Sequence, residues 1–111
     1  MHWQSDYYDY LTQNDEKELR KDVRERKGNG HRLVPNTNNK ATWYESENGD
    51  KILRSYYTDV LRLSNGRAYK MWEGYSVTTM NHINKFLSMN GCRGMNKYEW
   101  VMLKVGEGKD V

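Results

Sequence analysis

The side chains best suited to catalysis gather at the start of one predicted helix. There His82 follows three hydroxyl residues, Ser76, Thr78 and Thr79, and Thr78 lies four residues before it on the same helical face. A hydroxyl nucleophile needs a base within hydrogen-bond reach and a further group that orients the base. Hydroxyls in a first helical turn mainly bind backbone N–H groups. The pattern therefore favours a capping network bridged by His82, and we expect no enzymatic activity.

Metal and thiol chemistry have weaker signals in this sequence. The histidines, His2, His31 and His82, and the single cysteine lack the close spacing that zinc sites show. Cys92 has no base beside it in the sequence, so we expect an ordinary thiol. We therefore expect no metal and no cofactor.

Basic and aromatic residues alternate along the predicted strands and make stronger candidates for binding. Arginine and aromatic side chains on an open sheet face can stack bases and neutralise phosphates. The same residue types dominate the energetics of protein–protein contacts. The partner-binding candidates on the strands are Arg54, Tyr56, Arg62, Arg67, Tyr69, Lys70 and Trp72. The alternative is that the N-terminal helices cover this face and the tyrosines belong to the core.

Two more candidate surfaces precede the strands. The first is an acidic aromatic segment that contributes Trp3, Tyr7, Tyr8 and Tyr10. Such a segment can imitate the charge and stacking of nucleic acid and dock in a basic groove, or it can pack on the sheet. The second is a basic helix over residues 17–27, whose predicted contacts are Arg20, Lys21, Arg24, Arg26 and Lys27.

Composition limits the kind of protein that carries these residues. The chain has 111 residues, 36% of them apolar and 30% charged, which is polar for a globular domain. Nine tyrosines and four tryptophans supply large buried areas, so we expect one folded domain. The composition excludes a collagen-like fibre, a disulfide-rich knot and a membrane span. With one cysteine and no secretory pattern, we expect a cytoplasmic protein.

Hydrophobic periodicity and turn signals predict the elements that position these side chains. One helix is predicted to begin near Ser5, and the others span residues 15–27, 77–90 and 97–104. Ser76 is the expected N-cap of the third helix, and Asn96 with Glu99 forms a capping box for the fourth. Two Asn-Gly turns separate three predicted strands over residues 42–46, 51–63 and 67–72.

The expected architecture is α+β. A three-stranded antiparallel meander packs with a C-terminal helix pair and is preceded by one or two N-terminal helices. A bulge is expected in the second strand near Thr58 and Asp59. By composition, residues 1–40 form an N-terminal helical segment and loop, residues 41–105 the α+β core, and residues 106–111 a tail.

Two motifs in the predicted core carry a resemblance. They read SYYTDV at residues 55–60 and YSVTTMNHINKF at residues 75–86. The chain resembles an uncharacterised family of small proteins from Gram-positive phages, prophages and plasmids, with an S-Y-x-T-x-V strand and a Y-S-x-T-T-x-x-H-I-N-x-F helix. The resemblance covers residues 52–103, and Asp59 stands where the family often has proline. It implies an accessory protein of a mobile element and no assigned chemistry.

The expected function is therefore binding rather than catalysis. By analogy with other small phage proteins, we expect an inhibitor of a host protein or nucleoprotein complex, with a CRISPR effector as the most concrete target. The alternative is direct DNA or RNA binding through the basic helix and the sheet residues. A salt titration separates the two, because phosphate-driven binding weakens steadily with salt.

Overall fold

The computed structural model describes residues 13–111, which form one antiparallel sheet and three helices. The helices are α1 (Gln13–Gly28), α2 (Val77–Met89) and α3 (Lys97–Met102). The strands are β1 (Arg32–Leu33), β2 (Ala41–Glu45), β3 (Lys51–Ser55), β4 (Thr58–Ser64), β5 (Arg67–Lys70) and β6 (Gly108–Asp110). They follow chain order across the sheet. None of the described helices has the length and apolar character needed to span a bilayer.

The prediction of a three-stranded meander with a C-terminal helix pair is wrong, because the sheet has six strands. The strand predicted over residues 51–63 is divided into β3 and β4 by a turn at Tyr56 and Tyr57. Tyr56 has a φ of 53°, an unusual conformation for a bulky residue, and no Gly, Asn or Pro marks the turn. The short strands β1 and β6 fall in segments predicted as loop and tail.

One face of the sheet, here called the inner face, carries the main core. Leu53, Leu61 and Ala68 lie on this face and are fully buried beneath α2 and α3. Phe86 of α2 and Trp100 of α3 complete the core, and both are 0% exposed. The register between β3 and β4 shifts after Leu53, close to where the bulge was expected.

The caps of α2 and α3 are confirmed. The Ser76 side chain accepts a hydrogen bond from the backbone N–H of Thr79 at 3.0 Å. Asn96 and Glu99 form the reciprocal capping box at the start of α3. These caps fix where α2 and α3 begin, and His82 lies in the second turn of α2.

The opposite face, here called the outer face, is partly covered by α1. Leu19 and Val23 of α1 are buried against Tyr56 and pack with Leu33, in a cluster separate from the main core. Asp22 of the same helix pairs with an arginine of β3. The rest of the outer face is not covered by any described helix, so α1 leaves part of the sheet open.

Candidate nucleic-acid interface

The exposed side of α1 is basic. Lys17, Arg20, Arg24 and Lys27 follow one another at intervals of three and four residues, so they share one helical face. These four side chains are exposed, as is Lys21 beside them. We call these five residues the basic face of α1. At about 1.5 Å of rise per residue it is about 15 Å long, the height of about four base pairs.

No carboxylate of the described residues forms an ion pair with this face. Within residues 13–111, none of its five cations lies within ion-pair distance of an acid, although the sequence offers partners at i, i+4 spacing. Glu16 instead pairs with Lys40 at 2.9 Å. Asp22 pairs with Arg26, which points away from the basic face and is half-buried. The five cations therefore make no direct ion pair with a described acid, although Glu18 and Glu25 of the same helix line a surface cavity with Lys21.

A groove runs beside the basic face. It has a volume of about 220 Å³ and lies between α1 and the β1–β2 segment. Arg20, Arg24 and Lys27 border it, and Val23 and Leu33 contribute apolar surface. Asn39 closes it from the loop. The sequence did not identify Leu33 and Asn39 as site residues, because their approach to α1 depends on the path of the loop; the run of four polar residues after Pro35 was the available signal.

Three of the predicted sheet residues form a stack on the open part of the outer face. The guanidinium of Arg62 lies 4.8 Å from the Tyr69 ring centroid, and that of Arg67 lies 5.8 Å from it. Both arginines are also paired with acids, Arg62 with Asp50 at 3.7 Å and Arg67 with Asp110 at 2.8 Å. The stack is thus accessible but largely charge-compensated.

Arg54 lies on the outer face but is enclosed by α1. Its side chain is 11% exposed and lies 3.6 Å from Asp22 and 4.0 Å from Asp59. Burial lowers the pKa of Arg54, the nearby Arg26 guanidinium acts in the same direction, and the two carboxylates oppose this. Tyr44 donates a hydrogen bond to Asp59 at 2.8 Å. Arg54 therefore anchors α1 to the sheet and is not presented to a partner.

The remaining predicted sheet residues point to the interior. Tyr56 is 3% exposed, and Trp72 packs against the main core. Lys70 is 4% exposed and donates hydrogen bonds to the carbonyls of Trp100 and Leu103, both at 3.0 Å. Burial lowers the pKa of Lys70. These three side chains do not contribute to the interface.

Other sequence candidates lie outside the described residues or elsewhere in the fold. Trp3, Tyr7, Tyr8 and Tyr10, with the helix predicted near Ser5, precede the described part of the chain. In residues 13–111, no group of three or more His, Cys, Asp and Glu side chains has the geometry to hold a metal ion.

His82 forms its closest contact across the fold, not within its own helix turn. Its Nδ1 lies 2.7 Å from the Oγ of Ser55, which in turn lies 3.1 Å from the Oγ1 of Thr79. Ser55 is 2% exposed and His82 is 4% exposed. The hydroxyl of Ser55 is therefore enclosed between β3 and α2, where it positions the imidazole and is shielded from any substrate.

Comparison with known proteins gives one match. Residues 31–102 match the model of a family of unknown function, DUF8033. The matched region includes β1 to β5, α2 and α3, and it excludes α1 with its basic face. No curated protein and no solved structure matches the chain.

Proposed function

We propose that this chain, which belongs to DUF8033, a family of unknown function, binds nucleic acid through the basic face of α1. The proposed binding involves no catalytic step. The observation that carries the proposal is that the cations of the basic face form no ion pairs with described residues. Five exposed cations of α1 have no acidic partner in the described chain, whereas the arginines of the outer sheet face are paired. A row of exposed cations on one helix that forms no ion pairs is an arrangement that can bind phosphates.

The proposed binding depends little on base sequence. Lysine and arginine contacts to phosphates set position and affinity, whereas contacts to base edges set specificity. The basic face presents charged side-chain ends, and α1 contains no aromatic residue that could stack on bases. The basic face therefore contacts the sugar–phosphate backbone in this proposal. One strand of the nucleic acid lies along the groove beside Arg20 and Arg24.

Fluorescence anisotropy with a labelled oligonucleotide tests the proposal. The logarithm of the association constant should fall linearly with the logarithm of salt concentration, with a slope of about −0.9 for each phosphate contacted. The double variant Arg20→Ala with Arg24→Ala should lose two contacts, so its slope should be shallower by about 2. Affinity at about 100 mM salt should fall by at least about tenfold.

The matched control removes two cations from another surface. Lys97 and Lys104 are exposed and lie at α3, away from the basic face, so Lys97→Ala with Lys104→Ala changes net charge by the same amount. The control should bind like the parent protein. Equal losses in both variants would show that net charge alone attracts the oligonucleotide, and the proposal would fail.

The stack on the outer face favours a second candidate function. Arg62, Tyr69 and Arg67 are of the types that anchor protein–protein contacts, and a cavity of about 490 Å³ beside Arg62 has Ile52 and Met71 in its wall. This surface supports the proposal of an inhibitor of a host protein or nucleoprotein, in keeping with the resemblance to phage proteins. The same titration separates the candidates: no oligonucleotide binding at low salt would favour the protein partner.

A further inference from the structure

A second polar cavity lies on the other side of the β1–β2 loop. Its volume is about 310 Å³, and polar side chains line almost all of it. It is bordered by the first turns of α1, by the loop, by Tyr56 and by α2. The side chains used below are Glu16, Lys40, Asn81, His82 and Lys85. We call this space the His82 cavity.

The loop wall of the His82 cavity is fixed by its own hydrogen bonds. The Thr37 hydroxyl donates to the carbonyl of Val34 at 2.8 Å, and the N–H of Lys40 donates to the carbonyl of Thr37 at 3.0 Å. The N–H of Tyr56 donates to the carbonyl of Lys40 at 2.8 Å. Because these bonds lie within the chain, the wall is formed before any ligand arrives.

Two lysines give the His82 cavity a positive potential. Lys85 donates a hydrogen bond to the carbonyl of Asn36 across its rim, and Lys40 is held by Glu16. Glu16 is the one acid among the described residues that line the cavity, and with Lys40 and Lys85 these described side chains sum to a net positive charge. The pKa of His82 is lowered to about 4, mainly by burial and in smaller part by the positive charges of Lys85 and Lys40.

The imidazole of His82 has a free hydrogen-bonding position. Nδ1 is taken by Ser55, and Nε2 has no hydrogen-bond partner among residues 13–111. The ring is 4% exposed and borders the cavity. When the Ser55 hydroxyl donates to Nδ1, the proton of the neutral ring is on Nε2. Because the ring borders the cavity, this N–H can donate to an oxygen of a ligand bound there.

A second space adjoins the His82 cavity beyond Lys85. It measures about 480 Å³ and shares Asn36, Asn81 and Lys85 with it. Pro35 and Met89 give this second space apolar surface that the His82 cavity lacks. A ligand with an anionic end and a less polar body therefore has room for both parts.

We infer that the His82 cavity binds the phosphoryl group of a phosphate monoester, with the organic part of the ligand in the adjoining space. Lys40 of the loop supplies a donor from one wall, and Lys85 and Nε2 of His82 supply donors from α2 on another, which suits the several oxygens of one phosphoryl group. Glu16 opposes the anion by its charge but orients Lys40. This site is separate from the basic face of α1 and does not depend on nucleic-acid binding there.

Ligand titration followed by NMR at constant ionic strength tests the inference. The ligands are a nucleoside 5′-monophosphate, its nucleoside and inorganic phosphate. The monophosphate should bind more tightly than inorganic phosphate, both should shift the His82 ring signals, and the nucleoside should not shift them. Bound anion should also raise the pKa of His82, because it offsets the charges of Lys85 and Lys40. Equal binding of nucleoside and monophosphate, or no shift with any ligand, would overturn the inference.

A pair of lysine variants locates the site. Lys85→Ala should weaken monophosphate binding by about tenfold, the loss expected for one charge-assisted hydrogen bond. Lys104→Ala removes another exposed lysine, which does not line the cavity, and should leave binding unchanged. Equal weakening by both variants would place the anion on the general surface and contradict the inference.

The phosphoryl group can belong to a free nucleotide or to the end of a nucleic-acid strand. Oligonucleotides with and without a 5′-phosphate, added to the Arg20→Ala, Arg24→Ala variant, distinguish these sources. Tighter binding of the phosphorylated oligonucleotide identifies a strand end as the ligand. Equal binding of both oligonucleotides, with the monophosphate still bound, identifies a free nucleotide. Failure of the basic face therefore leaves this site testable by itself.

Discussion

His82 is kept neutral by its surroundings. Burial is the main cause of its pKa of about 4, and the ammonium groups of Lys85 and Lys40 add to it. The unfolded chain takes up the proton near pH 6.5, so between these values the unfolded state binds more protons than the native state. The contribution of His82 to stability is therefore complete above about pH 6.5 and is lost as the pH falls toward 4.

Replacing this side chain should reduce the pH dependence of folding. The shift corresponds to about 3 kcal/mol of unfolding free energy between pH 7 and pH 4. In His82→Gln, urea unfolding should show a smaller loss of stability over this range than in the parent protein. Equal slopes in the two proteins would contradict the prediction. Direct titration of the His82 ring by NMR in the parent protein checks the pKa even where the variant folds poorly.

Residue-scale features could be predicted where alternation along a strand decides them. Tyr69 and Lys70 are neighbours, so a strand must place them on opposite faces, and the structure has Tyr69 outside and Lys70 inside. The sequence does not say which face stays open, because that depends on where α1 docks. The donors around His82 come from segments far apart in sequence, and no local pattern joins Lys40 to Lys85.

At the scale of elements, α1 is attached by few contacts. Its apolar contact is limited to Leu19 and Val23, which form a cluster separate from the main core. The ion pair between Asp22 and Arg54 is 3.6 Å long and lacks hydrogen-bond geometry, so it adds attraction but little direction. The helix therefore depends on a small number of buried side chains.

Leu19→Ala should release α1 while the sheet stays folded. Removing a buried leucine side chain costs about 2–5 kcal/mol, which is large against the contacts that hold this helix. In hydrogen exchange, the amides of α1 should lose protection and those of β3 and β4 should keep it. The control is Leu87→Ala in the main core, which should destabilise every element. Loss of protection throughout the Leu19→Ala protein would contradict the prediction.

Elements with a chemical stop or start signal could be predicted from the sequence. Ser76 and Asn96 are strong N-caps, and the structure has both helices where these residues place them. The β3–β4 turn could not be predicted, because its two central residues are tyrosines and burial of Tyr56 maintains the left-handed conformation. β1 and β6 have only two and three residues, too few to show a period.

At the scale of the whole molecule, β6 covers an edge that would otherwise be open. Deleting residues 107–111 removes its ladder with β5, the bond from the N–H of Lys70 to the carbonyl of Glu107, and the packing of Val111. At about 1 kcal/mol for each backbone hydrogen bond, we expect a loss of about 3 kcal/mol in urea unfolding. Light scattering should also detect association through the uncovered edge of β5.

The control for this deletion is Lys109→Ala. It removes the ion pair between Lys109 and Glu99, which measures 3.4 Å and lies at the surface, while the backbone of β6 stays in place. The variant should show no more association than the parent protein and should be nearly as stable. A truncated protein that stayed equally stable and free of association would show that β6 is dispensable.

The short outermost strands have a consequence for recognition. A partner that joins a sheet by strand addition must find a row of free backbone groups several residues long. In the described chain the sheet ends in β1, with two residues, and β6, with three. Binding of a partner by backbone pairing is therefore disfavoured. A binding partner must instead contact side chains on the helices, the loops and the open part of the outer face.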